Sequence, residues 1–333
     1  MKQGRAVTLG KLFAFRKGPL AIDTVRGAAL LLVVLYHVIG SSAEGGLRIA
    51  APNPLRSFSD ALVYVHMPIF MAISGMVFAM KPVSFHDFGG FLLGKLGRLA
   101  IPGAVAIIFF VTGTKLVATI FQPVTPLWHL AIYPYAHFWF LHALLVILFV
   151  AGLVSAVSVS GAGWFLLCLG LICDLAGFRL GSRILAVNHA IALLPCFATG
   201  MLIWQYRVTI CAHRGHAALA ALVFLTAGIA SGLHQPLIPL AACLAIVIVP
   251  HCGWLAWMAA PSFVIYLYHP LATSAIRRLL AMAGIENTAL HLVAGTAAGV
   301  GLPVLFYVLI MQSPATAKLV NGWLPRPSRQ FAT

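Results

Sequence analysis

Charge is what this sequence has least of. Only 8% of its 333 residues are charged, and six of those are acids against 21 Lys and Arg. A soluble domain carries about 25% charged residues, so an ordinary water-soluble globule is excluded. Cysteine pairs are missing too. Cys168, Cys173, Cys196, Cys211, Cys243 and Cys252 show no C-x-x-C spacing and read as small buried hydrophobes, not as a disulfide framework or metal site. The histidines form no E-x-x-H or paired spacing of the kind zinc uses, so no metal is expected. No interval between apolar runs is long enough for a second domain, and neither an internal repeat nor a low-complexity tract is visible.

What is present is apolar length. Hydrophobic residues make up 62% of the chain and the mean hydropathy is +1.01. A bilayer core of about 30 Å needs about 20 apolar residues per helix. On that measure ten spans are expected, at 19–40, 59–80, 98–121, 137–157, 162–178, 186–206, 217–233, 236–252, 254–274 and 288–312. The runs are continuous, without two-residue alternation, which favours an all-α bundle over an outer-membrane barrel. Ten spans leave thirteen Lys and Arg on the N-terminal side of the membrane and six opposite, which places both termini in the cytoplasm. The expected organisation is a basic cytoplasmic segment at 1–18, one membrane domain at 19–312 and a cytoplasmic tail at 313–333. The first hydrophobic run begins too late and is too long for a cleaved signal peptide. The net charge of +15 then reads as a topology signal with some attraction to anionic lipid, and no nucleic-acid partner is needed.

The first span carries the chemistry. Asp23, Arg26 and His37 lie in the stretch IDTVRGAALLLVVLYHV, otherwise almost wholly apolar. Ionisable side chains at membrane depth are costly and usually face a polar interior. At 100° per residue the eleven steps from Arg26 to His37 end about 20° past three turns, so both share one face, roughly 16 Å apart. Asp23, at i−3 from Arg26, is placed to pair with the guanidinium. One such residue alone would read as a snorkelling side chain or a helix–helix hydrogen bond; three on one stripe point to function. An imidazole serves as a general base or transient acyl carrier, and a guanidinium holds phosphate or carboxylate.

Five stretches together resemble the acyltransferase-3 family of integral-membrane acyltransferases. Asp23…Arg26-Gly27…His37 resembles its R-x10-H pattern, and His66-Met67-Pro68-Ile69-Phe70…Ser74-Gly75 resembles the second helix of members that act on surface sugars, including the fucose O-acetylase-like group. Lys95-Leu96-Gly97-Arg98…Pro102 resembles the cytoplasmic R-x-x-R, Phe138-Trp139-Phe140-Leu141 the W-F-L signature, and Ile265-Tyr266-Leu267-Tyr268-His269-Pro270 the late I-Y-L-x-H-P. The resemblance implies a ten-helix bundle in the bacterial inner membrane. It implies transfer of an acyl group, acetyl above all, from cytoplasmic acyl-CoA to a hydroxyl of a surface or lipid-linked carbohydrate, such as an exopolysaccharide. It assigns catalysis to His37, supported by Arg26 and Asp23, and the CoA phosphates to Arg26, Lys95 and Arg98. Lys95 departs from the family pattern, keeping the charge without the bidentate fork. Some members also carry a periplasmic hydrolase-like domain, which has no counterpart in these 333 residues.

Acceptor contacts are expected from His66, Ser74, Trp139, Tyr266, His269 and Arg277. All but Tyr266 have a plainer reading: a carbonyl bond beside Pro68 for His66, close packing for Ser74, an interfacial anchor for Trp139, helix-end bonding for His269 and a lipid headgroup for Arg277. A transporter, with Arg26 as anion site and His37 as proton relay, is the alternative function; a membrane scaffold would explain neither the polar stripe nor the motifs.

Overall fold

The computed structural model describes residues 18, 20–117, 127–181 and 183–322, and every regular element among them is helical. In chain order the α-helices are α1 Ile22–Ile39, α2 Pro54–Leu62, α3 His66–Ala79, α4 Phe88–Val117, α5 Leu127–Ile132, α6 Trp139–Val157 and α7 Val159–Leu175. There follow α8 Val187–Gln205, α9 Arg207–Ala212, α10 Arg214–Ser231, α11 His234–Ala245, α12 Gly253–Trp257, α13 Ser262–Met282, α14 Thr288–Ile310 and α15 Pro314–Asn321. Nearly all of the 1–18 segment, the side chain of Lys115, and the tail beyond 322 with Arg326 and Arg329 lie outside the described residues.

Among the described residues, seven helical segments are long and apolar enough to cross a membrane, beginning at Ile22, Pro54, Phe88, Ala136, Ile184, Arg214 and Thr288. The fifth and eighth expected spans are the shorter apolar helices Val159–Leu175 and His234–Ile248. The ninth starts later than its hydropathy indicates. Residues 254–261 are a separate short helix and turns, and the long helix runs from Ser262 to Met282. The second expected span breaks between Leu62 and His66, so that His66 opens a helix of its own. The third begins ten residues early, which puts Lys95 and Arg98 inside α4; neither Gly nor Lys interrupts it before Pro102.

Small residues set the closest approaches, as they do between membrane helices. Gly75 of α3 and Gly200 of α8 face each other's backbones: a Cβ at Gly75 would lie 1.9 Å from the Phe197 carbonyl oxygen, and one at Gly200 1.9 Å from that of Ala72. Any side chain there would force the pair apart. Gly27 likewise lets α1 sit on α12, where a Cβ would lie 1.9 Å from the Leu255 oxygen. Thr24 adds hydrogen bonds across this contact, its Oγ1 accepting from the Cys252 amide at 3.0 Å and donating to the Cys252 carbonyl at 3.3 Å. Helix α1 also packs on α3, α13 and α14, so His37 is surrounded by residues from several helices.

The far end of α1 is held by α2. Arg56, 5% exposed, donates to the Gly40 carbonyl at 2.7 Å and pairs with Asp60 at 2.6 Å. Ser59 donates to the same carbonyl at 3.0 Å. Two donors on the residue that closes α1 satisfy one of its orphan carbonyls and fix the helix turn that carries His37.

Candidate active site

Four imidazoles from four separate segments meet beside the end of α1. The rings of His37, His137 and His269 lie 4.8, 5.6 and 6.0 Å apart, centroid to centroid. Tyr36 stands between His37 and His66, its ring 5.1 Å from the first and 4.9 Å from the second. His269, His66 and His137 are buried at 0, 3 and 7% exposure, while His37 keeps partial access. No carboxylate bonds any of these rings, and no group of three or more His, Cys, Asp or Glu among the described residues can hold a metal.

The sequence His269-Pro270 sets the proton positions. Proline has no N–H to give the carbonyl four residues back, so the Tyr266 carbonyl loses its helical donor. His269 Nδ1 fills that vacancy, 2.9 Å from the Tyr266 oxygen and 2.9 Å from that of Ile265. Carbonyls only accept, so the His269 proton is on Nδ1 and its Nε2 carries a lone pair. That Nε2 lies 3.2 Å from His37 Nδ1, which is itself 2.9 Å from the Val33 carbonyl. Facing two acceptors, His37 Nδ1 holds the proton, and His37 Nε2 is left as an unprotonated base. This is the arrangement of a base oriented by a third group, with an imidazole and a carbonyl in place of the usual carboxylate.

His137 was not singled out by its spacing. It precedes the W-F-L stretch in a 3-10 turn, Ala136–Phe138, and its Nε2 donates to the Leu267 carbonyl at 3.3 Å. Tyr266, offered above as an acceptor contact, donates its hydroxyl to the His137 carbonyl at 2.6 Å and ties α6 to α13. A turn histidine beside aromatic residues carries no periodic signal, and only the three-dimensional contact reveals it.

The other expected acceptor residues have mixed positions. His66 Nδ1 donates to the Leu62 carbonyl across the α2–α3 break. Ser74 bonds back to the Phe70 carbonyl of its own helix at 2.9 Å. Trp139 is half-buried and lies over His189, centroids 4.4 Å apart. Arg277 donates to the Gly46 carbonyl at 2.9 Å, holding the loop between α1 and α2. Of the six, His66, Tyr266 and His269 stand at the imidazole cluster.

The basic residues are spread out by comparison. Arg26 and Asp23 pair at 3.8 Å with both side chains partly exposed. Lys95 is half-buried with its ammonium 5.4 Å from the Phe91 ring centroid, a cation–π contact, and Arg98 is exposed. Helix α4 packs chiefly on α6, α13 and α15; Arg26 and the Lys95–Arg98 pair stand on separate helices, while α4 reaches the cluster at Phe110, 5.5 Å from the His137 ring.

Comparison with known proteins agrees with this helical frame. No curated protein and no solved structure matches the chain. The acyltransferase-3 family model, described as an acyltransferase domain, matches residues 20–308, a range that holds Asp23, Arg26, Lys95, Arg98 and all four clustered histidines. With its apolar helices and this match over most of its length, the chain belongs to the acyltransferase-3 family and is an integral-membrane acyltransferase.

Proposed function

We propose that the protein is an O-acyltransferase of the bacterial inner membrane, moving an acyl group, acetyl first among them, from cytoplasmic acyl-CoA to a hydroxyl of a surface or lipid-linked carbohydrate. The observation that carries this reading is the hydrogen-bonded pair of His37 and His269, which leaves His37 Nε2 as an oriented base. In this reading Nε2 takes the proton of the acceptor hydroxyl as its oxygen attacks the thioester carbon. The C–S bond then breaks, and the proton passes to the departing thiolate, giving free CoA and an ester. General-base assistance of this kind contributes about 10²–10⁴-fold. His269 accepts part of the His37 Nδ1–H and stabilises the imidazolium as it forms. Lys95, Arg98 and Arg26 supply cations for the CoA phosphates on the face expected to be cytoplasmic, and the roughly 16 Å of α1 between Arg26 and His37 is of the order a pantetheine arm spans. The test is free-thiol release from acetyl-CoA in membranes carrying the wild type and His37→Ala, with crude surface glycan as acceptor. Release that requires His37 supports the reading. No release from correctly inserted wild type, with acetyl- or succinyl-CoA, sinks it and brings forward an anion transporter built on Arg26 and His37.

A further inference from the structure

We infer that a second pocket, at the ends of α3, α6 and α8 remote from the histidines, binds a phosphate ester through Arg207, and that its occupant is the nucleotide end of the acyl donor. The choice of occupant rests on the acyl-CoA reading above; the site itself rests on four features of the structure. The cavity holds 460 Å³, and its lining includes Phe78, Met201, Trp204, Ser155, Gln205 and Arg207. Arg207 is half-buried and stacked on Trp204, guanidinium carbon 4.5 Å from the ring centroid. It donates one N–H to the Trp204 carbonyl at 3.0 Å, and no carboxylate among the described residues pairs with it. Stacking and the carbonyl bond hold the fork still while its other donors remain for an anion, a geometry suited to phosphate.

Ser155 supplies the second observation. It is 3% exposed and lines the cavity, yet its hydroxyl bonds no described residue. The hydroxyl is open to the cavity beside the stacked guanidinium, where it offers a further hydrogen-bonding group to a polar ligand. The adjoining wall is also shaped by pairing: Gln205 donates to the Ser160 carbonyl at 3.3 Å and so closes the α7 side.

The position fits a long donor. The Phe78 ring lies 5.7 Å from that of Phe91, and the Lys95 ammonium lies over the same Phe91 ring, 5.4 Å from its centroid. A ligand in the pocket is therefore one aromatic pair away from the Lys95 ammonium. Along α3, His66 and Phe78 are twelve residues apart, about 18 Å at 1.5 Å per residue, close to the separation of Arg26 and His37. A donor seated by its nucleotide at Arg207 would direct its remaining phosphates toward Lys95 and its thioester toward the imidazoles.

The test is equilibrium binding of labelled adenosine 3′,5′-bisphosphate to the full-length protein in phosphatidylcholine nanodiscs, with acyl-CoA turnover measured in parallel. Binding is expected in the wild type and unchanged in His37→Ala. Arg207→Gln should weaken it roughly ten- to hundredfold, the range of one hydrogen bond to a charged group, and Ser155→Val by about three- to tenfold. Should Arg207→Gln lower the melting temperature enough to blur its result, Ser155→Val, which removes no charge, decides alone. Absence of bisphosphate binding in a wild type that turns over acyl-CoA overturns this inference and leaves the enzyme reading intact. Arg207-dependent binding without turnover supports the site and leaves the acyltransfer reading unsupported. In discs containing phosphatidylglycerol, a loss of retained lipid in Arg207→Gln with bisphosphate binding unaffected would also overturn it, identifying the phosphate as a headgroup.

Discussion

The imidazole cluster and the basic residues differ in how the fold presents them. The first is convergent: His37, His66, His137 and His269 come from different segments, three are almost fully buried, and each spends one ring nitrogen on a backbone carbonyl. The second is divergent. Arg26, Lys95, Arg98 and Arg207 stand on three helices, partly or fully exposed, with a carboxylate on one and an aromatic ring under two. Rigid hydrogen bonding fixes proton positions, which is what base catalysis requires; cations spread over several helices, with Arg207 among them held by both a ring and a carbonyl, suit a long and highly charged donor. In the proposed mechanism the first region does the chemistry and the second supplies affinity for the donor.

That division can be broken by mutation, and the effects should descend in order. His37→Ala removes the base, and thiol release measured at saturating donor should fall about 10²–10⁴-fold; a loss confined to KM would move His37 into the binding group. His269→Ala should lower kcat about 10²-fold with little change in KM, and His269→Asn, which retains an amide donor and acceptor, should recover part of it. Pro270→Ala sharpens the argument. It returns a backbone N–H to the Tyr266 carbonyl in competition with His269 Nδ1, so kcat should drop about tenfold while the melting temperature holds or rises, since an interior proline costs a helix about 3 kcal/mol. Lys95→Gln should raise KM for acyl-CoA about tenfold at nearly constant kcat, with Lys95→Arg close to wild type. The smallest effect is expected from Arg277→Gln, which leaves the Gly46 carbonyl without its donor: about 1 kcal/mol of stability in a thermal melt and a change in kcat of no more than a few-fold.

The parts of this arrangement that lie along one helix could be read from the sequence. Spacing alone put Arg26 and His37 on one face and Asp23 within reach of Arg26, and the pair forms at 3.8 Å. Apolar length located the segments, but it missed the start of α13, because residues 253–261 are as apolar as the helix that follows and only their turn at Pro261 separates them. It missed the break before His66 for the same reason. Contacts between distant segments had no local signature. The bond from His269 to His37 spans 232 positions, and His137 looks like one more polar residue among aromatics until its turn is bonded to α13. Arg277, beside Arg278 in an expected outer loop, suggested a ligand; in the structure it lies within α13 and holds the Gly46 carbonyl. Arg207 and Ser155, 52 positions apart, share a cavity only because α6 and α8 lie side by side.

The central claim is that His37 and His269 act as one unit. Single-turnover acyl transfer by the wild type, His37→Ala, His269→Ala and the double variant measures it directly. If the two form a single base, the double variant is no slower than His37→Ala, within about threefold, because the second loss removes a partner whose work has already gone. Losses that multiply, with the double variant slower by the product of the two single effects, would mean that the imidazoles act independently and would contradict the account.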